Sequence, residues 1–187
     1  STSKGTVRLH RVLAAPAERV YRAFTDPAAM AKWFPPYGFT CTVHEIDVRV
    51  GGGYRISFTN FTTGKSHSFT GTYSELRQNE RIRYTDKFDD PNLPGEMQVT
   101  ITFRPVSCGT DLEIVQEGLP ELIPVEECYL GWQQSLNQLT QLVEPDIQDK
   151  AARIEASIRA HANSGSGFKL RRKKNAVLRP FRKGRVA

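Results

Sequence analysis

Single polar residues separate the apolar ones along much of the middle of the chain. Tyr54, Ile56 and Phe58 alternate with polar side chains, and residues 97–103 repeat the pattern. A period of two is typical of a strand that buries one face. Turns rich in glycine, asparagine and proline separate the alternating segments. The pattern predicts about six antiparallel strands between residues 39 and 116.

Helical spacing marks the segments on either side of these strands. A short β-rich run from Val7 to Leu13 precedes two short helices; Pro16 lies at the start of the first, and Asp26 is the expected N-cap of the second. Near the other end, apolar residues recur in steps of three and four from about Pro124 onward: Val125, Tyr129, Trp132, Leu136, Leu139 and Val143. This stripe predicts one long amphipathic helix.

The order of these elements predicts an α+β fold. One face of an amphipathic sheet must be covered by another element, and the long helix is the only one large enough. We therefore expect a curved antiparallel sheet around a long C-terminal helix, with two short helices after the first strand. A sheet curved around a helix leaves space for a ligand, and a cavity of roughly 300–1,000 Å³ is expected.

Charge divides the chain into two segments. Residues 1–147 contain 14 Lys+Arg and 18 Asp+Glu, whereas residues 148–187 contain 12 and 2. The overall net charge of +6 therefore results from −4 in the first segment and +10 in the second. Such an asymmetry indicates two physically different segments. We expect a folded domain over residues 1–147 and a basic C-terminal tail over residues 148–187.

Cysteine usage and hydropathy bear on the compartment. The three cysteines, Cys41, Cys108 and Cys128, are odd in number and form no CxxC pair, which disfavours a disulfide framework or a structural zinc site. No apolar run approaches the roughly 18 residues that a transmembrane segment needs, and the first residues do not resemble a signal peptide. These features predict a cytoplasmic protein.

Several short motifs occur in a characteristic order. They are Ala15-Pro16-Ala17-Glu18-Arg19-Val20-Tyr21, Thr25-Asp26-Pro27 with Trp33-Phe34, Gly38-Phe39-Thr40-Cys41, Asp47-Val48-Arg49-Val50-Gly51-Gly52-Gly53-Tyr54-Arg55, Phe69-Thr70-Gly71-Thr72-Tyr73 and Gly131-Trp132. In this order they resemble the START-like, or SRPBCC, superfamily, and within it the branch named after the activator of heat-shock-protein-90 ATPase. The resemblance covers about residues 6–145.

This resemblance implies a helix-grip (START/Bet v-like) fold with an internal cavity between the sheet and the long helix. Members of the superfamily bind lipids, hormones or polyketides, some are cyclases or hydrolases, and the eponymous eukaryotic protein is a co-chaperone. A shared fold does not settle function.

Nine residues are expected to contact a ligand in the cavity: Trp33, Phe34, Phe58, Phe69, Tyr84, Asp86, Phe88, Phe103 and Trp132. The alternative for each aromatic residue is that it fills the core, because buried aromatic side chains dominate many protein interiors. Trp33 and Phe34 precede Pro35 and Pro36, which makes them the best candidates for a gate.

Asp86 shares its strand face with Ile82, Tyr84 and Phe88. A carboxyl group on an apolar face is either a raised-pKa acid or ligand anchor, or one half of an ion pair with a nearby arginine. Gln116, at the end of the last strand, either binds a polar group of the ligand or caps the strand.

No catalytic residue, metal site or cofactor is predicted. His10, His44, His67 and His161 lack HxH or HExxH spacing, and there is no GxSxG sequence. The leading hypothesis is a domain that binds a small apolar or amphipathic molecule. The alternatives are a cyclase-type or hydrolase-type enzyme that uses cavity acids, and a co-chaperone-like domain with a chaperone partner.

The C-terminal tail has two parts. Ile147, Ala151, Ile154 and Ile158 have helical spacing, which predicts an amphipathic helix over residues 146–161. After a Gly/Ser linker, residues 169–185 are strongly basic. Such a run could bind RNA or an anionic membrane surface; the alternatives are a solvated disordered tail and an unrelated sequence joined to the domain.

Overall fold

A seven-stranded antiparallel sheet forms the body of the protein in the computed structural model, which describes residues 5–163. Its strands are β1 (Gly5–Leu13), β2 (Phe39–Ile46), β3 (Gly53–Asn60), β4 (Ser66–Arg77), β5 (Arg81–Phe88), β6 (Met97–Val106) and β7 (Gly109–Leu119). Their order is β1-β7-β6-β5-β4-β3-β2, so the two ends of the sheet are β1 and β2. The predicted α+β class and antiparallel sheet are confirmed.

Three helices accompany this sheet: α1 (Ala17–Thr25), α2 (Pro27–Trp33) and α3 (Val125–Val143). Asp26 caps α2 as predicted, because its Oδ1 accepts hydrogen bonds from the backbone N–H groups of Ala28 and Ala29 at 2.8 and 3.1 Å. The long helix α3 buries Trp132, Leu136, Leu139 and Val143. The arrangement is the predicted helix-grip fold.

Register irregularities bend the sheet. The pairing of β2 with β3 shifts between Val43 and Glu45, and that of β4 with β5 shifts between Tyr73 and Glu75. Such bulges increase local twist. Gly71 in β4 lets the ring of Tyr54 lie close to the backbone, because a Cβ atom at Gly71 would be 2.4 Å from that ring. The bend makes one face of the sheet concave.

Contact with β1 holds the C-terminal half of α3 in place. The guanidinium of Arg11 donates hydrogen bonds to Gln133 Oε1 and Asn137 Oδ1 at 2.8 and 2.9 Å. The backbone N–H of Ala14 donates to Glu144 Oε1 at 2.9 Å. These bonds fix the rotation of α3 and therefore decide which of its side chains face the sheet.

One part of the predicted apolar stripe is wrong. Tyr129 is 42% exposed, and the residues that accompany Trp132 on the inner face are Cys128, Gly131 and Ser135. These positions are related by three or four residues, so they share one face of the helix. The side chains on the inner face therefore occupy less volume at this point than the sequence pattern predicted.

Contacts divide the chain into Ser1–Asp146 and Ile147–Ala187. Within the second unit, residues Lys150–Asn163 form α4, close to the helix predicted for residues 146–161. Ile154 and Ile158 are exposed. The basic run that was considered for RNA or anionic surfaces lies outside the described residues.

Candidate functional site

A cavity of about 570 Å³ lies between the concave face of the sheet and the N-terminal half of α3. Apolar and aromatic side chains supply most of its wall. The residues that line it are Phe34, Pro36, Phe58, His67, Phe69, Asp86, Phe88, Leu93, Met97, Gln116, Leu119, Ile123, Glu127, Cys128, Gly131, Trp132 and Ser135. Its volume is within the range typical of small-molecule sites.

Strand register brings the sheet residues of the wall together. Phe58 lies opposite His67, Phe69 opposite Phe88, and Asp86 opposite Met97. Directly opposed residues in antiparallel strands project from the same face. Because alternate residues along one strand also share a face, these three pairs form one continuous wall.

Phe34 closes the aromatic part of this wall. Its ring centroid is 5.7 Å from Phe58, 6.2 Å from Phe69 and 5.9 Å from Trp132, each in an edge-to-face arrangement. Its backbone carbonyl accepts a hydrogen bond from Ser135 Oγ at 2.8 Å. Phe34 is thus fixed to α3 as well as to the sheet side of the cavity.

Gln116 organises the polar contacts beside Trp132. Its Oε1 accepts a hydrogen bond from the Trp132 indole N–H at 2.6 Å and one from the Cys128 thiol at 3.4 Å. Its Nε2 donates to Met97 Sδ at 3.2 Å. The side chain is 7% exposed, so these bonds satisfy a buried amide. Gln116, a candidate for binding a ligand's polar group, lies on the cavity wall.

Asp86 is the most unusual polar group in the wall. Its Oδ1 is buried and has no hydrogen-bond partner within the described residues, and the same is true of Tyr54 Oη. Burial raises the pKa of Asp86 from 3.8 to about 7, although the nearby Tyr54 hydroxyl and the Lys87 backbone N–H lower it. The ion pair with arginine that was considered for Asp86 is not found among residues 5–163. The carboxyl group exchanges its proton near neutral pH.

Burial also perturbs two other titratable groups of the wall. It lowers the pKa of His67, which favours the neutral imidazole. It raises the pKa of the Cys128 thiol to about 11, and the charge of Asp86 contributes to this rise. A thiol of this pKa is almost fully protonated at neutral pH and is a poor nucleophile. The wall therefore offers one acid that titrates near pH 7 and no activated thiol in the described chain.

Six of the nine expected ligand-contacting residues line the cavity: Phe34, Phe58, Phe69, Asp86, Phe88 and Trp132. Whether they contact a ligand stays a prediction. Trp33, Tyr84 and Phe103 do not line the cavity, so their expected positions were wrong. All three are buried in the core.

Trp33 is fully buried and donates its indole N–H to the carbonyl of Ala23 at 2.8 Å. It therefore cannot swing as a gate without breaking this bond, and Phe34 is the gate candidate that borders the cavity. Phe103 packs against the rings of Tyr21 and Phe24, with a centroid distance of 5.4 Å to each.

Tyr84 packs against Tyr54 and Tyr73 at centroid distances of 5.6 and 6.1 Å. With Trp33 it borders a void of only about 10 Å³, which is too small for a ligand. The ring lies on the concave face as expected, but Phe24 of α1 and Met30 of α2 border the same void and leave no space for a ligand in front of it.

Ten residues of the wall were not singled out as cavity-lining residues from the sequence: Pro36, His67, Leu93, Met97, Leu119, Ile123, Glu127, Cys128, Gly131 and Ser135. For three of them the signal was present in the spacing of α3, because Cys128, Gly131 and Ser135 follow one another at steps of three and four and therefore share a helix face. Gly131 is informative, since a Cβ atom there would meet no atom within 4 Å.

Within the described part of the chain, no group of three or more histidine, cysteine and acidic residues is arranged to hold a metal ion. None of the helices between residues 5 and 163 is long and apolar enough to cross a bilayer.

Comparison with solved structures finds close matches. Protein CV1439 from Chromobacterium violaceum is 65% identical, with a TM-score of 0.75, over 75% of this chain and 98% of that chain. Protein NE0264 from Nitrosomonas europaea is 24% identical, with a TM-score of 0.63, over 73% of this chain and 92% of that chain. At this lower identity the likeness shows the fold alone.

No curated protein matches the chain significantly. The family model described as "Activator of Hsp90 ATPase homolog 1-like protein" matches residues 14–144, which include the motifs noted in the sequence and every element from α1 to α3. The chain therefore belongs to the Activator of Hsp90 ATPase homolog 1-like family, within the SRPBCC superfamily.

Proposed function

We propose that the domain binds a small apolar or amphipathic molecule in the cavity beneath α3. The observation that carries this proposal is the cavity itself: about 570 Å³ enclosed by five aromatic rings and a few polar groups. Protein interiors are normally packed without voids larger than a water molecule. A space of this size with an aromatic wall and a few convergent polar groups is typical of a ligand site.

The geometry of α3 supports the proposal. Polar contacts with β1 hold its C-terminal half, while its N-terminal half covers the cavity with small residues, Cys128, Gly131 and Ser135. A larger side chain at Gly131 would enter open space rather than meet another atom. The backbone can therefore accept a substitution there that fills the cavity.

The first experiment identifies what the protein carries. Native mass spectrometry of gently purified full-length protein is expected to show a mass above that of the chain, and denaturation is expected to release the added molecule. A ligand that binds the folded state but not the unfolded state raises the melting temperature. Added hydrophobic fluorophores should therefore both raise the melting temperature and compete with the co-purified molecule.

A cavity-filling variant tests whether ligands bind in this cavity. Gly131→Leu should abolish binding while preserving the fold, because leucine has a higher helix propensity than glycine. Gln141→Leu is the matched control, since it adds the same side chain to an exposed position of α3. Equal binding by both variants would mean that ligands bind elsewhere, and the proposal would be wrong.

Proton transfer by Asp86 is a second candidate function. It is favoured by a carboxyl group with a pKa of about 7 that borders the cavity, because a general acid or base works best when its pKa is near the operating pH. If the molecule that co-purifies is converted slowly, Asp86→Asn should stop the conversion without preventing binding. Unchanged conversion in this variant would exclude the role.

A chaperone partner is a third candidate, suggested by the family description and by exposed apolar residues outside the cavity. Tyr129 and Leu130 are 42% and 58% exposed on the outer side of α3. If they contact an Hsp90-type chaperone, the domain should change the chaperone's ATPase rate, and Leu130→Glu should remove the effect. Gly131→Leu should leave it intact, which separates this function from ligand binding.

A further inference from the structure

The charged groups of the cavity wall are all acidic. Asp86 and Glu127 are both among the described residues that line it, whereas no lysine or arginine is. The one histidine, His67, is favoured in its neutral form because burial lowers its pKa. An anionic ligand would therefore meet two acids and no cation, and a fatty acid or organic phosphate is a poor fit.

No cationic side chain among the described residues pairs with Asp86; its nearest polar neighbours are the Tyr54 hydroxyl and the Lys87 backbone N–H. The titratable groups that face it are Tyr54 from β3, Tyr84 from its own strand β5, and Cys128 from α3. None of these groups is a cation. Its Oδ1 forms no hydrogen bond within residues 5–163, and neither does the nearby Tyr54 Oη. Asp86 borders the cavity, so a carboxylate there has no counter-charge unless a bound molecule supplies one.

Aromatic rings supply a large part of the wall. Phe34, Phe58, Phe69, Phe88 and Trp132 line the same cavity as Asp86. Phe88 is two residues from Asp86 and lies on the same strand face. Phe69 is the cross-strand partner of Phe88, and their ring centroids are 6.4 Å apart. The faces of such rings attract cations, and the attraction grows when water is excluded.

We infer that the ligand of this cavity is an organic cation, an amine whose ammonium group pairs with Asp86 while its apolar body lies among the aromatic rings. The inference rests on the proposed ligand-binding function and narrows the class of ligand. Charge complementarity, a carboxyl group without a cationic partner among the described residues, and an aromatic wall all favour the same occupant. A neutral hydroxyl group could also reach the acid, and the experiment below distinguishes it from an amine.

Three probes of nearly equal shape test the charge preference: 1-naphthylmethylamine, 1-naphthylmethanol and 1-naphthoic acid. Affinities are measured by calorimetry on the full-length protein at about pH 8. We expect the amine to bind at least tenfold more tightly than the alcohol, which corresponds to about 1.4 kcal/mol, and the acid to bind most weakly. An equal or greater affinity for the alcohol or the acid overturns the inference.

Two variants locate the preference. Asp86→Asn is nearly isosteric and should bring the amine's affinity down to that of the alcohol, while the affinity for the alcohol stays unchanged. Glu127→Gln changes an exposed position of the same wall. It should reduce the affinity for the amine less than Asp86→Asn does, because exposed charges are screened by solvent. Retention of the full amine preference in Asp86→Asn contradicts the pairing.

The wild-type protein provides a test that needs no variant. Because pairing requires the carboxylate, the affinity for the amine should fall by up to about tenfold per pH unit as the pH drops below 7, whereas the affinity for the alcohol should change little. Protonation of His67 at lower pH acts in the same direction. An amine affinity that does not change with pH contradicts the inference.

The probes also separate the two levels of the proposal. Binding of all three without charge preference, abolished by Gly131→Leu, would overturn the amine inference and leave the proposed function standing. Absence of binding by any probe, together with no carried molecule in the mass spectrum, would count against both.

Discussion

Replacing Asp86 by asparagine should stabilise the protein, and the gain should increase with pH. The carboxyl group has a pKa of about 7 in the folded protein and 3.8 as the reference value for an unfolded chain. A folded-state pKa above the unfolded value means that the folded protein holds its proton more tightly. Folding is therefore disfavoured once the unfolded state releases that proton.

The magnitude follows from the difference between these two pKa values. It is about three pH units, and each corresponds to 1.36 kcal/mol, so the full penalty is about 4 kcal/mol. Part of the side chain borders the cavity, where solvation reduces the penalty, and we expect about 2–4 kcal/mol. The penalty is absent below about pH 4, grows between about pH 4 and 7, and is constant above pH 7.

Urea unfolding of the wild type and Asp86→Asn between about pH 4 and pH 8.5 measures this penalty. The difference in unfolding free energy between the two proteins cancels the titration of groups that are distant from Asp86. We expect Asp86→Asn to gain about 2–4 kcal/mol relative to the wild type across this range. A saturating amine should reduce the gain, because it stabilises the wild-type carboxylate.

A difference that is constant with pH would show that Asp86 has an ordinary pKa. A difference that decreases as the pH rises would show that a cation pairs with the carboxylate in the protein alone. Either result would refute the assignment of Asp86 as an unpartnered buried acid.

Three other predictions concern packing, thiol chemistry and the tail. Trp132→Ala should lower the unfolding free energy by about 3 kcal/mol in urea titrations, at the low end for a buried tryptophan because one side already borders the cavity; a loss below 1 kcal/mol would contradict the burial. Iodoacetamide at about pH 8 should modify exposed Cys108 first, because burial raises the pKa values of Cys41 to about 12 and Cys128 to about 11; peptide mass spectrometry that finds equal rates would contradict this. Deleting residues 163–187 should leave the melting temperature and ligand binding unchanged, and a large loss of stability would mean that the tail packs into the fold.

The elements of the fold could be predicted from local patterns. Alternation in residues 54–58 and 97–103 placed their side chains on the correct faces, and Asp26 caps the second helix as its position indicated. Such signals depend on neighbouring residues in the chain, so they survive in the sequence. The helix-grip arrangement followed because the long helix is the only element large enough to cover most of the concave face.

The cavity residues could be predicted only in part. Tyr84 and Phe103 have the same strand phase as Asp86 and Met97, which do line the cavity, and Trp33 directly precedes Phe34 in the sequence. Their positions differ because α1 and α2 cover one end of the concave face, where Phe24 packs against both Trp33 and Phe103. No local pattern records which end of a strand a distant helix will cover.

The sequence by itself determined which strand side chains face inward, because the two-residue period of a strand is a property of the local backbone. Tertiary structure alone decided where the interior stays open. That outcome depends on the rotation of α3, fixed by Arg11, which sets Cys128, Gly131 and Ser135 opposite the aromatic wall. The volume of a cavity is the difference between the space that a curved sheet encloses and the side chains that distant elements place there. Such a difference exists only once those elements have packed together.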